Sequence, residues 1–117
     1  MTTTKDRAAK IAALNDDFRR HCPVPGSCSG KVVLTRGIGA LGGDAVGTIL
    51  DRIAAFDAFT GDNEPYGERD FGSLDFDGNR IFFKIDYYDA ALEFGSEDPA
   101  DPTKTTRVLT VMLAEEY

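Results

Sequence analysis

The stretch GSLDFDGNRIFFKIDYY, residues 72–88, decides the fold class, because two alternating runs flank a turn within it. In Gly72–Asp77, Leu74 and Phe76 share one side, with Ser73, Asp75 and Asp77 on the other. In Arg80–Tyr88, Ile81, Phe83, Ile85 and Tyr87 line one face, and Phe82, Lys84, Asp86 and Tyr88 the other. Apolar residues recurring every second position predict half-buried strands. Asp77-Gly78-Asn79 between them supplies the residues a tight hairpin turn requires, so the two strands should pair antiparallel.

Further along, Asp89–Lys104 holds Pro99 and Pro102 and reads as an acidic loop, and Thr105–Ala114 as an apolar strand. Together these give a three-stranded antiparallel meander. Before the hairpin, Thr60–Asp70 is a polar connection. Asp44 to about Phe56 reads as a helix whose wide apolar face (Val46, Ile49, Leu50, Ile53, Phe56) suits covering a sheet. Gly47 weakens that helix by up to ~1 kcal/mol relative to Ala. Lys31–Thr35 reads as a short β-branched strand broken by Gly37 and Gly39, and Cys22–Gly30 as a loop. Thr3 to about Arg20 predicts a first helix with a narrow stripe of Ile11, Leu14 and Phe18, capped by Thr4, with Arg19, Arg20 and His21 complementing its C-terminal dipole. The expected fold is α+β: helix, strand, helix, then a three-stranded antiparallel meander forming one sheet covered by helix. It is expected as a single domain over residues 1–117, with an N-terminal helix in 1–21 and an α+β core in 31–117.

A chain of 117 residues, 42% hydrophobic and 28% charged, can bury one core without staples. No apolar run reaches the ~18 residues of a membrane helix, and the first residues lack a secretory apolar segment. A cytoplasmic location away from membranes is therefore expected. The net charge of -7 is unevenly distributed. Met1–Phe56 carries eight basic and five acidic residues, Asp57–Asp101 three basic and thirteen acidic ones, and the last sixteen residues balance. Direct binding to nucleic acid through the middle segment is disfavoured, because phosphate contacts need Lys and Arg. An acidic surface suits a basic protein partner, or serves solubility.

Motifs for chemistry are weak. Cys22 and Cys28 stand farther apart than a C-x-x-C pair, and the only histidine, His21, adjoins Cys22, a poor arrangement for a metal or a nucleophile–base pair. Asp62-Asn63-Glu64-Pro65-Tyr66-Gly67 resembles a calcium loop but has Tyr66 and Ser73 where oxygen ligands belong. A looser cation site from Asp62, Glu64, Glu68 and Asp70 stays open. Asp75 and Asp77 near Lys84 read as a cross-strand ion-pair group more than as a metal nuclease. Gly37-Ile38-Gly39 followed by Gly42 matches G-x-G-x-x-G, but in so short a chain it reads as a strand-to-helix turn. Phe71, Phe82, Tyr87, Tyr88, Phe94 and Tyr117 flank the acidic loops, either packing beneath them or forming a protein-binding patch. No cofactor is implied.

Thr35-Arg36-Gly37-Ile38, Gly67-Glu68-Arg69-Asp70-Phe71-Gly72, the run IFFKIDYYD from Ile81 to Asp89, GSEDPADP from Gly95 to Pro102, and RVLTVMLAEEY from Arg107 resemble a bacterial domain-of-unknown-function family, number 3768. The resemblance covers most of Lys31–Tyr117. Many members carry His at the positions of Tyr66 and Arg69, so a ligand or base role of those histidines is not carried over to this chain. The resemblance implies a bacterial cytoplasmic protein of no established activity. Its members often sit on plasmids, prophages and other mobile elements, a context that suits an accessory or anti-defence role of the anti-CRISPR kind.

The expected function is a non-enzymatic binding protein whose acidic face engages a basic surface on another protein, with carboxylates imitating a line of phosphates. The expected partner-binding residues are Glu68, Asp70, Asp75, Asp77, Asp86, Tyr88, Glu97 and Asp98. The alternative is a small metal-dependent enzyme using carboxylates of residues 62–70 and 75–86. A homo-oligomer formed through a strand edge or the aromatic patch is the third reading.

Overall fold

The structure, a computed structural model, describes residues 4–21, 30–57, 59 and 67–117. The expected Cys22–Ser29 loop, the 60–66 connection with its candidate ligands Asp62 and Glu64, and the capping side chain of Thr4 lie outside the described residues.

The hairpin forms as its alternation requires. Strand β2 (Phe71–Phe76) pairs antiparallel with β3 (Asn79–Tyr88), from Phe76↔Asn79 to Phe71↔Lys84. Asp77 and Gly78 form the two-residue loop with φ of 51° and 81°. Two successive positive φ angles give the type I′ turn, whose twist matches that of the flanking strands. Asp77 therefore belongs to the turn and Asn79 to β3, one residue off the expected limits. Strand β4 (Thr106–Leu113) pairs antiparallel with the other side of β3, from Ile81↔Leu113 to Tyr88↔Thr106.

The sheet is larger than the expected meander. Strand β1 (Lys31–Leu34) joins β4 in parallel, giving a four-stranded mixed sheet in the order β1-β4-β3-β2. Without β1 the apolar β4 would present an unpaired edge. The β-branched run of β1 announced a strand but not its partner. Parallel pairing puts Val32 beside Leu109 and Leu34 beside Val111, so both fall on the face that Ile85 and Phe83 line on β3.

Gly37 and Gly39 end β1 as expected, by way of a single helical turn, α2 (Arg36–Gly39). Gly42, at φ 97°, then leads into α3 (Gly43–Ala55). The G-x-G-x-x-G run is thus a strand-to-helix connection. Ile49 and Ile53 of α3 are fully buried against Ile81, Phe83, Ile85, Leu109 and Val111, with Ile38 of α2 and Phe18 completing the cluster. Gly72 is required here. A Cβ on it would lie 2.4 Å from the Phe83 ring and 2.8 Å from that of Phe56, two rings that meet edge to face at 5.2 Å.

Helix α1 (Thr4–His21) lies on the same face as α3. Its buried side is Ile11, Ala12, Asn15, Phe18 and Arg19, while Leu14 is only half-buried. The expected stripe is therefore rotated, and two of its buried positions are polar. Among the described residues, both long helices cover one face of the sheet. The other carries Val33, Val108, Thr110, Phe82, Lys84, Asp86, Phe71, Ser73 and Asp75 by register. No helix among the described residues is long and apolar enough to cross a membrane.

Candidate functional site at the acidic end of the sheet

Where β3 ends, residues 89–104 fold back before β4 begins. This connection carries Asp89, Glu93, Glu97, Asp98 and Asp101 against a single cation, Lys104. Its prolines and acids cannot build a regular element, so its shape comes from local hydrogen bonds. Gly95 bridges back to Tyr88, Asp89 N–H donates to the Phe94 carbonyl at 2.7 Å, and Ser96 N–H to the Tyr87 carbonyl at 3.0 Å. Short acidic side chains then cap the backbone, as Asp residues do in turns. The Asp89 carboxylate accepts from Glu93 N–H at 3.0 Å, Asp98 from Ala100 N–H at 3.2 Å, and Asp101 from the N–H and hydroxyl of Thr103 at 2.9 and 2.6 Å. Those Thr103 bonds hold the Asp101 carboxyl below its ordinary range. The Thr105 hydroxyl, buried, donates to the Asp98 carbonyl at 2.9 Å. The loop encloses an open cleft of about 590 Å³ lined by Asp89, Ala90, Phe94, Gly95, Glu97, Thr103 and Lys104. Phe94 stands at its edge 71% exposed.

Beneath this end, α1 and the sheet are joined by a buried polar network. The Asn15 amide donates to the Tyr87 hydroxyl at 2.8 Å and to the Glu68 carbonyl at 2.9 Å. Its oxygen accepts from Arg107 Nε at 2.6 Å. Arg107 also donates to the Pro99 carbonyl at 2.6 Å and so anchors the acidic loop from below. Tyr87 donates to the Glu68 carboxylate at 2.9 Å. Burial foremost, and then the charges of Asp70 and Glu68, push the Tyr87 hydroxyl far above the usual tyrosine range, against the opposing effect of the Asn15 donor. One helical turn farther on, Arg19 donates to the Ile53 and Phe56 carbonyls at 2.5 and 3.1 Å and pairs with Asp16, which also holds Arg69 at 2.8 Å. The Arg19 guanidinium stacks on Phe59 and Phe83, 5.1 and 5.7 Å from the ring centres. Burial lowers its pKa, with Asp16 opposing. A fully buried arginine is held by carbonyls, a carboxylate and aromatic faces, as the desolvation of a charge demands.

The residues expected to bind a partner divide between two ends of the sheet. Glu68, Asp70, Asp86, Tyr88, Glu97 and Asp98 stand toward the acidic end. Asp70 is placed there by its carbonyl, which accepts from Ile85 N–H at 2.8 Å. Asp75 and Asp77 lie at the hairpin tip, from roughly 17 Å (Asp70 and Asp86) to roughly 30 Å (the Tyr88 end) away along β3 at ~3.4 Å per residue. Because Asp77 is in the turn, it does not continue the outward row begun by Asp75, and the strand-spaced line of carboxylates does not form there. Asp75 pairs with Arg80 at 2.7 Å, and Lys84 with Asp86 at 3.2 Å, so the expected surface ion pairs exist with different partners. Asp98 pairs with Arg7 at 3.1 Å. Glu68 faces inward to Tyr87, which gives it a structural duty. Among the described residues, no group of three His, Cys, Asp or Glu side chains is placed to hold a metal ion. Of the aromatic residues, Phe71, Phe82 and Tyr117 do gather, with centroids 5.3 to 5.9 Å apart, while Tyr87 turns into the network.

Hydrophobic pattern alone gives Asn15 and Arg107 no buried place and assigns Arg19 only to the helix dipole, yet all three are buried. Their spacing was the available signal: Ile11, Asn15 and Arg19 succeed one another every four residues on one helix face, and Arg107 alternates inward with Leu109 and Val111.

No curated protein and no solved structure matches the chain. Residues 34–116 match a family described as a protein of unknown function (DUF3768). That stretch takes in β1's last residue, α2, α3, the whole hairpin, the acidic loop and β4, and leaves out α1 with Asn15 and Arg19. With well over half of its length matched, the chain belongs to the DUF3768 family.

Proposed function

We propose that this protein is a binding module that receives a basic segment of another protein at the acidic end of its sheet. The observation that carries the reading is the 89–104 loop: five carboxylates and one lysine, held in a defined shape around a cleft with an exposed phenylalanine at its edge. A pre-shaped loop spares much of the ordering cost of association. Asp89 and Glu97 at the cleft favour a lysine or arginine side chain, and Phe94 offers a face for its stem or for cation–π contact. Excess negative charge over the middle of the chain would steer a basic partner toward this end. An accessory role on a mobile element, including interference with host nucleic-acid machinery through its basic surfaces, is the setting in which such a module fits.

Binding is tested with a labelled arginine-rich peptide and isotope-labelled protein. Chemical-shift changes should concentrate in residues 89–104 and weaken steeply with salt. Phe94→Ala with Glu97→Lys should weaken binding at least tenfold, while Asp75→Asn with Asp77→Asn leaves it nearly unchanged. Shifts centred on the hairpin tip, or binding indifferent to Phe94 and Glu97, would overturn the assignment. Capture from a lysate by the wild type but not by the loop variant would then identify the partner.

A further inference from the structure

The face of the sheet opposite α1 and α3 has a composition unlike the rest of the molecule. One row across the strands reads Val33, Thr110, Lys84 and Phe71, and the next sets Met112 beside Phe82 and Ser73. Tyr117 packs edge-on against Phe71 and Phe82 at 5.9 and 5.7 Å while remaining 76% exposed, and Val33 is 45% exposed. Phe71, Phe82, Val108 and Thr110 are half-buried, while Met112 beside Phe82 is 4% exposed, so the open part of the face runs from Val33 across Thr110, Lys84 and Asp86. The two long helices α1 and α3 lie on the opposite face, and the C-terminal Tyr117 covers the Phe71–Phe82 corner of this one.

Its charges are mixed. Lys31, Arg80 and Lys84 alternate with Asp75 and Asp86, within a chain whose net charge is -7. Two copies brought together through their acidic loops would repel. Brought together through this face they meet apolar surface and balanced charge. We infer that this face is where a second copy of the chain docks, in a two-fold contact that sets Lys84 of each copy against Asp86 of the other. The neighbouring pair Lys84–Asp86, 3.2 Å apart on one strand, supplies both halves of that reciprocal contact, as an isologous interface requires. Strands of four, eight, ten and six residues, ~4.8 Å apart and rising ~3.4 Å per residue, present roughly 450 Å² per copy. The roughly 900 Å² total lies below the ~1,200 Å² of stable specific interfaces and fits a weak dimer.

Sedimentation equilibrium of the full chain from about 5 to 500 μM reads this directly. The wild type should pass from monomer to dimer across that range. Val33→Glu and Lys84→Glu should each weaken the dimer at least tenfold, with circular dichroism confirming the fold. Adding Asp86→Lys to Lys84→Glu should restore association, since the reciprocal pairing returns with its signs exchanged. If one single variant fails to fold, the other decides. A wild type that stays monomeric at 500 μM, or a dimer that neither variant weakens, overturns the inference.

Discussion

Replacing Asn15 by leucine makes α1 more apolar, and by hydrophobic pattern alone it should stabilise the protein. The structure gives the opposite sign. Asn15 is fully buried and makes three hydrogen bonds, to the Tyr87 hydroxyl, the Glu68 carbonyl and Arg107 Nε. The costly loss is the last. Arg107 is 6% exposed and keeps its bond to the Pro99 carbonyl and its place over the Tyr87 ring, but its Nε loses its acceptor, so one donor of a buried charge is stranded, at about 2–3 kcal/mol. The Glu68 carbonyl and the Tyr87 oxygen together add about 1 kcal/mol, and the greater apolar burial of leucine returns roughly the same. The net destabilisation is about 2–3 kcal/mol. At ~2.1 cal/mol/K per residue, a chain of 117 residues loses ~4 °C of Tm per kcal/mol, so a drop of about 8–12 °C is expected in a thermal melt. Leu14→Ala is the control. Leu14 is half-buried, so its truncation should cost less, about 1 kcal/mol. A change below about 0.5 kcal/mol for Asn15→Leu, or a larger loss for Leu14→Ala, would refute the view that the polar network joins α1 to the sheet.

Two pH effects follow from the same geometry. The folded-state pKa of Tyr87 is raised, so its contribution is intact below the ordinary tyrosine pKa of ~10 and lost as pH rises beyond it; a late phase in an ultraviolet alkaline titration should vanish in Tyr87→Phe. Glu116 has a lowered pKa because its carboxylate accepts from the Thr35 hydroxyl and the N–H groups of Leu113 and Gly37, so its contribution is present above the unfolded glutamate pKa and lost as pH falls through the folded one. The gap in stability between wild type and Glu116→Gln should therefore close on acidification, and a gap that stays constant between pH 7 and pH 3 would contradict it.

How far the residues spoke for themselves depended on whether local pattern or distant partners decided the outcome. Ile81, Phe83 and Ile85 alternate without interruption, and Asp77-Gly78 has one natural turn, so the hairpin was legible almost to the residue. The wide apolar face of α3 likewise named its own role, with Ile49 and Ile53 fully buried. The partner of β1 was not legible, because four residues of strand signal are equally compatible with either edge of the meander and with either direction. The rotation of α1 was hidden for another reason. Arg19 is buried because it finds the carbonyls at the end of α3 and the ring of Phe59, contacts made across more than thirty residues of sequence.

The candidate site shows both sides of that division. The acidity of residues 89–104 is plain in the chain, yet acidity alone describes a solvated loop as well as it describes a binding surface. What distinguishes them is whether the carboxylates are spent on the fold or left for a partner. Asp98 and Asp101 cap N–H groups within the loop, Asp98 also meets Arg7, and Glu68 is engaged by Tyr87. Glu97 and Phe94, by contrast, line the cleft and are exposed. The loop's backbone-bonded carboxylates give it a fixed form, Arg107 ties that form to the sheet through Pro99, and Asn15 holds Arg107. On the proposed reading, binding and stability are coupled through one arginine. Loosening the network from α1 should reduce affinity at the loop without altering any residue that touches the partner. Asn15→Leu, measured in the peptide titration at a temperature where it is still folded, should then bind several-fold more weakly than the wild type, and unchanged affinity would show that the loop holds its shape by its own hydrogen bonds alone.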